Sequence, residues 1–411
     1  MHNTQESVFR MVEENDVSFI RLQFTDLFGT LKNIAVTRSQ LTRAFDGQFA
    51  FDGAMTPGFD DHNTMLTLVP DPDTFVIFPW RPQQGKVARL LCSVKTASGE
   101  PYPADTRQVL IQTIQKANAL GLSSMVDLRC EFFLFPTDEN GKPDINGSEH
   151  AGYLDLGPQD SGENTRRDIV LTLEDLGIIV VSSHHEAAPF QHAVTLQQMD
   201  MLSMADAMVT FKLVVRTIAQ RHGFFASFMP KPKSNMPGSG MHLGFSFDTS
   251  NGDYFDVRAF ETGVSNHLPG LALVTNPLVN SYKRLMSCSG LQIVLPLSGE
   301  ASWNLSDDLT AFEDGRIVLR HPDPAANPYL TMSLIMEAGL SGLTGTSPKT
   351  TDCIFPQNLN AAIGTFKADS LIQDVLGETI STRLIAAKEA EWADYSSQVT
   401  DWELSQWLFR A

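Results

Sequence analysis

One stretch at positions 126–135 limits the folds open to this chain, because it places charge inside a strand that is otherwise apolar. The stretch reads VDLRCEFFLF. Side chains alternate along a β-strand, so Arg129, Glu131, Phe133 and Phe135 share one face. The pattern therefore predicts a buried strand with a guanidinium one pleat away from a carboxylate.

The charge pair on this strand requires compensation, since unpaired charges in an apolar strand cost several kcal/mol. Arg129 and Glu131 must form a structural ion pair, meet other polar groups, or hold a ligand or metal. From the strand alone these alternatives stay open.

Composition narrows the class of protein. The chain has 411 residues, 42% hydrophobic and 19% charged, as in a globular protein large enough for two domains. The net charge of −18 argues against nucleic acid as a partner, because phosphate binding needs a basic face. Four widely spaced cysteines without a CxxC pair fit a reducing cytoplasm. With no signal peptide or membrane span in the pattern, we expect a cytoplasmic protein without a membrane partner.

Short strands dominate the N-terminal part of the chain. Residues 19–26 and 31–36 alternate apolar and polar side chains on either side of Gly29, which predicts a hairpin. Further short strands are expected at 66–70, 73–80 and 88–94. Helical spacing begins near Arg107, so we place the boundary near residue 104 and expect domains at 1–104 and 105–411.

The larger C-terminal part mixes helices and strands. Residues 200–220 have the spacing of a helix with a broad buried face, whose methionines fill the core. The tail at 359–409 is also predicted to be helical, and its aromatic side chains suggest docking onto the body or a neighbouring subunit. Neither GxGxxG nor GxxxxGK[ST] occurs, which argues against a Rossmann or P-loop nucleotide site.

Three clusters carry side chains suited to chemistry. Ligand-type residues that follow a strand expected at 177–181 form the first: His184, His185, Glu186 and His192. A glycine loop leads into His242, where a histidine satisfied by its neighbours at a strand start is the commoner outcome. Arg316 and Arg320 precede a Pro-rich turn, and such a pair of guanidiniums can grip phosphate or carboxylate.

Short sequence blocks are spread over nearly the whole chain. They read FDG at 51–53, PDPDTF at 70–75, EFFLF at 131–135, HHE at 184–186, FMPKP at 228–232, GSGMH at 238–242, NP at 276–277, NSYKRL at 280–285 and PDPAANPYL at 322–330. In this order the blocks resemble those of glutamine synthetases of the bacterial type I class.

That resemblance implies an α+β fold, with a small N-terminal β-grasp domain and a larger catalytic-type domain built on an antiparallel sheet with flanking helices. It also implies a homo-oligomer of stacked, dodecamer-like rings with active sites between neighbouring subunits. Family members use ATP and two or three divalent cations, Mg²⁺ or Mn²⁺, to phosphorylate glutamate and let ammonia displace the phosphate. ATP and Mg²⁺ or Mn²⁺ are therefore the implied cofactors.

The resemblance assigns the metal ligands only in part. Glu131 and Glu186 match ligands of the first cation, and His242 matches a ligand of the second. The positions of the remaining family glutamates hold Ala193, Arg129 and Val318. We therefore expect weak or absent metal binding, with the Arg129 guanidinium in roughly the place of the second cation.

Residues that match the family's catalytic and nucleotide groups are also incomplete. The resemblance retains four catalytic residues, namely Asp52, Arg284, Arg316 and Arg320. It assigns Lys231 and Ser246 to the cofactor. The family's flap glutamate is replaced at 286–290, an arginine-rich segment is replaced at 300–305, and Gly244 stands for a second histidine near the nucleotide.

These departures shape the functional hypotheses. Loss of one phosphate-clamping or oxyanion group costs about 2–4 kcal/mol in the transition state, and several are replaced together here. The leading hypothesis is a pseudoenzyme that keeps the ring fold as a scaffold or regulator, in company with an active paralogue. A γ-glutamyl amine ligase of changed substrate and a glutamine synthetase with an unusual site stay open as alternatives.

Overall fold

The computed structural model describes residues 3–59, 64–81, 84–249, 255–286, 294–296, 310–313, 316–347 and 352–410. Two large sheets organise these residues, one in the N-terminal part and one in the C-terminal part, and two short strands pair separately. Together with the helices packed on them they give the α+β class expected from the sequence.

The N-terminal part begins with a helix and then contains mostly strands. Its helices are α1 (Gln5–Glu14) and α2 (Leu41–Phe45). Its strands are β1 (Val17–Thr25), β2 (Leu31–Thr37), β3 (Phe49–Asp52), β4 (Met65–Pro70), β5 (Val76–Ile77) and β6 (Lys86–Thr96). Short 3₁₀ turns occur at Arg38–Gln40, Gly53–Met55 and Pro72–Thr74.

These strands form a mixed sheet in the order β2-β1-β6-β4-β3, with β5 also on β6. The predicted hairpin is confirmed, because β1 and β2 are antiparallel and Gly29 adopts a φ of +77° in the turn between them. The strand expected at 73–80 is largely wrong. Asp71 instead caps a 3₁₀ turn, which opens at Pro72 where no backbone N–H is available to a sheet, and only β5 follows.

The C-terminal part carries the remaining elements. The helices are α3 (Thr106–Ala119), α4 (Glu163–Asp175), α5 (Met201–Arg221), α6 (Val257–Thr275), α7 (Val279–Leu285), α8 (Pro328–Leu343), α9 (Leu359–Ala368), α10 (Ser370–Ser397) and α11 (Asp401–Trp407). The strands are β7 (Leu122–Pro136), β8 (Val180–His185), β9 (Gln191–Asp200), β10 (Phe224–Ser227), β11 (Met241–Thr249), β12 (Val294–Pro296), β13 (Thr310–Glu313), β14 (Arg316–Leu319) and β15 (Asp352–Ile354).

The C-terminal sheet is centred on β7, which contains the charged stretch of the sequence. Its order is β13-β14-β11-β7-β9-β8, with β10 also on β7, and its described pairs are antiparallel as expected. Side chains of β7 alternate as predicted. Phe132 and Leu134 enter the main core, whereas Phe133 and Phe135 form a separate apolar cluster on the face of Arg129.

A buried ionic network joins the two parts of the chain. The Arg107 guanidinium, at the start of α3, lies 2.8 Å from Asp71 and 2.9 Å from Asp206 on α5. The Tyr329 hydroxyl donates to Asp206 at 2.7 Å. Asp71 and Tyr329 belong to the sequence blocks at 70–75 and 322–330, so these blocks hold the junction together.

The C-terminal helices follow the sequence pattern, but one strand does not. Residues 200–220 form α5, and the tail at 359–409 is helical over α9, α10 and α11, as predicted. The strand expected at 177–181 begins later, at Val180, because the chain first turns at Gly177 with a φ of +80°. Within the described ranges, none of the helices is long and apolar enough to cross a membrane.

Candidate active site

The candidate site lies on one face of the C-terminal sheet, where β7, β9 and β11 run side by side. Arg129 on β7 stands opposite His242 on β11, and Glu131 stands opposite Ala193 on β9. Because alternate residues of a strand share a face, Asp127 joins Arg129 and Glu131 in one row. The sheet thus gathers side chains that are far apart in the sequence.

The Arg129 guanidinium lies between two carboxylates. It donates a hydrogen bond to Glu186, and its Nη2 lies 3.4 Å from Oε1 of Glu131. His184 adds its Nε2 at 2.9 Å from the same Glu186 carboxylate. The contact that the sequence predicted for Arg129 is therefore present, with both glutamates.

Glu131 is held by groups of the chain itself. The Gly240 N–H donates to its Oε2 at 2.9 Å, and the Gln191 amide lies 3.4 Å from the same atom. Burial, together with the nearby Glu186, raises the pKa of Glu131 to about 7, although the Gly240 N–H and Arg129 oppose the shift. The carboxylates of Glu131 and Glu186 therefore repel each other, and the Arg129 guanidinium compensates only part of that repulsion.

His242 is surrounded by positive charge. Burial, together with the guanidiniums of Arg129, Arg284 and Arg320, lowers the pKa of His242 to about 3. The imidazole is therefore neutral near neutral pH. Neutral imidazole is a good metal ligand, but the cations around it disfavour a further cation.

Arg316, predicted to bind phosphate, has an acidic partner. Its Nη1 lies 2.6 Å from Oδ2 of Asp127. A Cβ added at Gly244 would meet the same carboxylate at 2.5 Å, so Asp127 fills the space over that glycine. Sequence reasoning missed Asp127, although its place two residues before Arg129 on a period-two strand was a usable signal.

Arg284 is buried and bound by backbone carbonyls. Its Nη2 donates to the His321 carbonyl and lies 3.2 Å from the carbonyl of Pro322. Arg284 also packs against Gly238 and Gly240 of the glycine loop, where an added Cβ would collide with it. The described contacts give this arginine a role in fixing the loop that carries His242.

The remaining predicted residues lie around this face or away from it. The Lys231 N–H donates to Asn280 at 2.7 Å, and the Ser246 hydroxyl donates to the Met125 carbonyl at 3.4 Å. Asp52 lies in the N-terminal sheet and accepts the Ala54 N–H at 2.9 Å. Across the described ranges, no hydrogen bond or ion pair joins Asp52 to the other predicted residues. The replaced flap positions 287–290 and the segment at 300–305 lie outside the described residues.

The predicted histidine cluster is divided between the two faces of the sheet. His184 stands opposite Ala193 on the site face, whereas His185 stands opposite His192 on the other. On that second face Asp160, His185 and His192 bring ligand-type atoms within 4.8 Å of one another. Arg166 is already there, 2.5 Å from Asp160 and 2.8 Å from His192 Nδ1, so a guanidinium already binds this group. The buried His192 Nε2 has no hydrogen-bond partner among the described residues.

Comparison with known proteins gives one family over nearly the whole chain. The family model described as glutamine synthetase, beta-Grasp domain matches residues 16–97, and that described as glutamine synthetase, catalytic domain matches 103–407. A glutamine synthetase of Clostridium saccharobutylicum is 43% identical, with 98% of each chain covered. One from Staphylococcus aureus strain Mu50 is 38% identical over the same share of both chains.

Solved structures agree with that result. The structure described as apo GmaS without ligand has a TM-score of 0.86 at 27% identity and covers 98% of this chain and 99% of its own. A GmaS/ADP complex has a TM-score of 0.83 at 26% identity, covering 97% and 99%. The Plasmodium falciparum glutamine synthetase, at 19% identity and a TM-score of 0.84, covers 99% of this chain and all of its own and supports the fold alone.

Proposed function

The chain belongs to the glutamine synthetase family, and we propose that within it the metal-dependent ligase reaction has been lost and the fold serves as a scaffold or regulator. One observation carries this proposal, namely the Arg129 guanidinium lodged between Glu131 and Glu186. A permanent cation there substitutes for part of the charge that divalent metal supplies elsewhere in the family.

The donor set does not fit the pair of divalent cations that the family implies. Of the residues that match family metal ligands, Glu131, Glu186 and His242 remain on this face, and Ala193 stands directly opposite Glu131 where a further ligand was expected. The other ligand-type groups there are engaged, since Asp127 pairs with Arg316 and His184 lies 2.9 Å from Glu186. A metal ion at Glu186 would have to displace the Arg129 guanidinium or lie beside it, with two positive charges in contact. We therefore derive no reaction step through a metal in this protein.

The phosphate-binding groups are engaged as well, which supports the same proposal. Arg316 is neutralised by Asp127 at 2.6 Å, and Arg284 is bound to backbone carbonyls. Each clamping group of this kind contributes about 2–4 kcal/mol to transition-state stabilisation when it is free to act. Two of the three arginines that the resemblance assigned to catalysis are thus already bound within the chain.

A second function has some support. Glu131, Glu186 and His242 still lie together on one face, and the fold matches a GmaS/ADP complex with a TM-score of 0.83. This favours a ligase of changed substrate, such as a γ-glutamyl amine ligase, over an unaltered glutamine synthetase. It leaves the Arg129 contacts unexplained, so we rank it second, and glutamine synthetase activity with an unusual site third.

We also propose a homo-oligomer of stacked rings, alone or with an active paralogue. Asp52 lies in the N-terminal sheet, where a neighbouring subunit would use it. The tail supports this proposal, because Trp402 is 61% exposed, Trp407 50% and Phe409 93%. Sedimentation should give an assembly well above the monomer mass at micromolar concentration, and a monomer would refute the ring.

ATP turnover tests the functional proposal. Pure protein would be assayed with Mg²⁺ or Mn²⁺, ATP, glutamate and a panel of amines that includes ammonia, with an active relative as the positive control. We expect no glutamate-dependent phosphate release from this chain. Phosphate release that depends on one amine would instead support the ligase of changed substrate. Phosphate release with ammonia alone would support glutamine synthetase activity.

A further inference from the structure

A large cavity lies where the N-terminal and C-terminal parts meet, away from the candidate active site. Its volume is about 750 Å³, within the range of small-molecule sites. The β1–β2 hairpin, α5, the end of α6 and α10 supply its walls. Arg129, Glu131, Glu186 and His242 are not among its lining residues.

Charge distinguishes this cavity from the rest of the molecule. The chain carries a net charge of −18, yet the described lining residues include five cations and no Asp or Glu. The cations are Arg21, Arg81, Lys212, Arg216 and Lys388. Because all the charged residues described in the lining are cations, although the protein as a whole is acidic, we expect an anion as the occupant.

Lys212 and Arg216 are the cations best placed to bind it. They lie one turn apart on α5, so both side chains point to the same side of the helix. Lys388 has an acidic partner in Glu391 at 2.8 Å, whereas no ion pair to Lys212 or Arg216 occurs among the described residues. The Lys212 ammonium has a hydrogen bond of 3.3 Å to the Ala326 carbonyl, and the Arg216 guanidinium lies 5.2 Å from the centre of the Phe228 ring.

Lys212 is partly buried, and its ammonium has a hydrogen bond to a carbonyl but no ion pair among the described residues. Burial, together with the neighbouring Arg216, lowers the pKa of Lys212 to about 8, while Cys130 and Asp323 oppose the shift. An anion beside this ammonium would supply the missing counter-charge.

Aromatic and aliphatic side chains complete the walls. Phe78 and Trp80 stack with ring centres 4.5 Å apart on the N-terminal side. Phe225 and Phe228 lie on the opposite side, together with Met229. Such walls suit a hydrocarbon or aromatic body rather than a small inorganic ion.

We propose that this cavity binds an organic anion with an apolar body, whose carboxylate, sulfonate or phosphate group is held by Lys212 and Arg216. The site is separate from the ligase chemistry and does not depend on its loss. Because residues of both parts of the chain line the cavity, an occupant would also stabilise the junction against opening.

A fluorescence titration tests this proposal on the full chain. The probe is 8-anilinonaphthalene-1-sulfonate, which has an aromatic body and one anionic group. We expect saturable binding, weakened by at least about tenfold in Arg216→Met and in Lys212→Met, because each loses one charge of the pair. Arg10→Gln changes an exposed arginine on α1 that does not line the cavity, and it should bind like the parent.

Two further probes separate the parts of the proposed ligand. N-phenyl-1-naphthylamine keeps the rings without the sulfonate, and we expect the parent to bind it at least about tenfold more weakly. Inorganic phosphate alone should not compete in the millimolar range. Equal affinity for the uncharged probe, or unchanged sulfonate binding in both variants, would overturn the proposal, as would phosphate competing as well as the organic anion.

Folding is checked separately by circular dichroism. If Lys212→Met does not fold, Arg216→Met decides the matter alone. The Arg216 side chain is exposed, so replacing it with methionine does not create a cavity in the core.

Discussion

Two buried charge clusters, the Arg107 junction and the Arg129 site, use the same chemistry to different ends. At the junction one guanidinium lies 2.8–2.9 Å from carboxylates of both parts of the chain, with its side chain only 5% exposed. At the site the Arg129 side chain is 31% exposed, and its buried Nε has no partner among the described residues. The first cluster is closed and satisfied, whereas the second is open and incompletely satisfied.

The difference shows which parts of the family pattern this chain has kept. The blocks at 70–75 and 322–330 hold two of the residues around Arg107, so these matches preserve the junction. The departures that the resemblance implies fall on the site face, at Arg129, Ala193 and Gly244. A guanidinium can compensate nearby carboxylates without filling a metal's coordination geometry, so under the proposed loss of ligase activity the fold would be kept there without the chemistry.

Removing Arg107 should have the largest effect. Arg107→Ala removes a buried guanidinium and leaves the largely covered Asp206 and the partly exposed Asp71 without it, so we expect a loss of about 3–5 kcal/mol in the free energy of unfolding. Urea denaturation at neutral pH measures it. Arg167→Ala is the matched control, because Arg167 is an exposed arginine paired with Asp168 at 3.2 Å and should cost under about 1 kcal/mol. Equal costs for the two variants would mean that the junction does not hold the domains together.

Removing Arg129 should reduce the free energy of unfolding by less than removing Arg107. We expect Arg129→Ala to lose about 2–3 kcal/mol, below the range for a closed buried pair, since water reaches part of this side chain and screens the remaining carboxylates. Millimolar Mg²⁺ should restore part of that loss, because a cation can then approach Glu131 and Glu186. Sodium chloride at the same ionic strength is the control. A loss that Mg²⁺ leaves unchanged would separate Arg129 from the role of a replaced cation.

Gly244 tests the packing beside the site. Gly244→Ala should destabilise the protein by about 1–2 kcal/mol, because the new Cβ meets the Asp127 carboxylate. Asp127→Gly should remove most of this penalty in the double variant, as a thermal double-mutant cycle would measure. Additive effects would show that Asp127 does not fill the space over Gly244.

Replacing Lys212 should give the smallest change in the free energy of unfolding, and this change should be a gain rather than a loss. Lys212→Met removes an unpaired buried ammonium, and we expect a gain of about 1 kcal/mol near pH 7, discounted because the side chain stays partly accessible. The folded-state pKa of about 8 lies below the ordinary lysine pKa of 10.5, so the unfolded chain binds more protons between these values. The parent therefore gains stability as the pH rises through this window, and the advantage of the variant should shrink by about pH 10.

The groups around Lys212 set the conditions of that test. Arg216, Asp323 and Cys130 are the charged and titratable groups that act on Lys212, and burial raises the pKa of the Cys130 thiol above this window. Denaturant curves of the parent and of Lys212→Met near pH 7 and near pH 10 would measure the difference in their free energies of unfolding. An advantage that grows with pH would contradict a buried, charged Lys212.

Local pattern predicted the parts of this structure that local physics determines. The hairpin at Gly29, the alternation along β7 and the helix at α5 follow from turn chemistry and hydrophobic period. The family resemblance supplied the order of the domains and drew attention to Arg129. The contact of Arg129 with Glu131 could be predicted from strand geometry alone, because the two residues share a face.

Other features depend on residues that are distant in sequence. The Arg107–Asp206 pair is 99 residues apart, and the cavity at the junction uses side chains from both parts of the chain. No periodicity in a single segment records such contacts, so only the folded chain reveals them.

Titration of Mn²⁺ into the parent protein and into Arg129→Glu, followed by isothermal calorimetry, tests the replaced-cation proposal most directly. We expect no saturable binding on the site face of the parent, whereas Arg129→Glu, which exchanges the guanidinium for a third carboxylate, should bind Mn²⁺ at least about tenfold more tightly. Micromolar binding by the parent, unchanged in the variant, would contradict the replacement of a cation by Arg129 and would favour a working ligase.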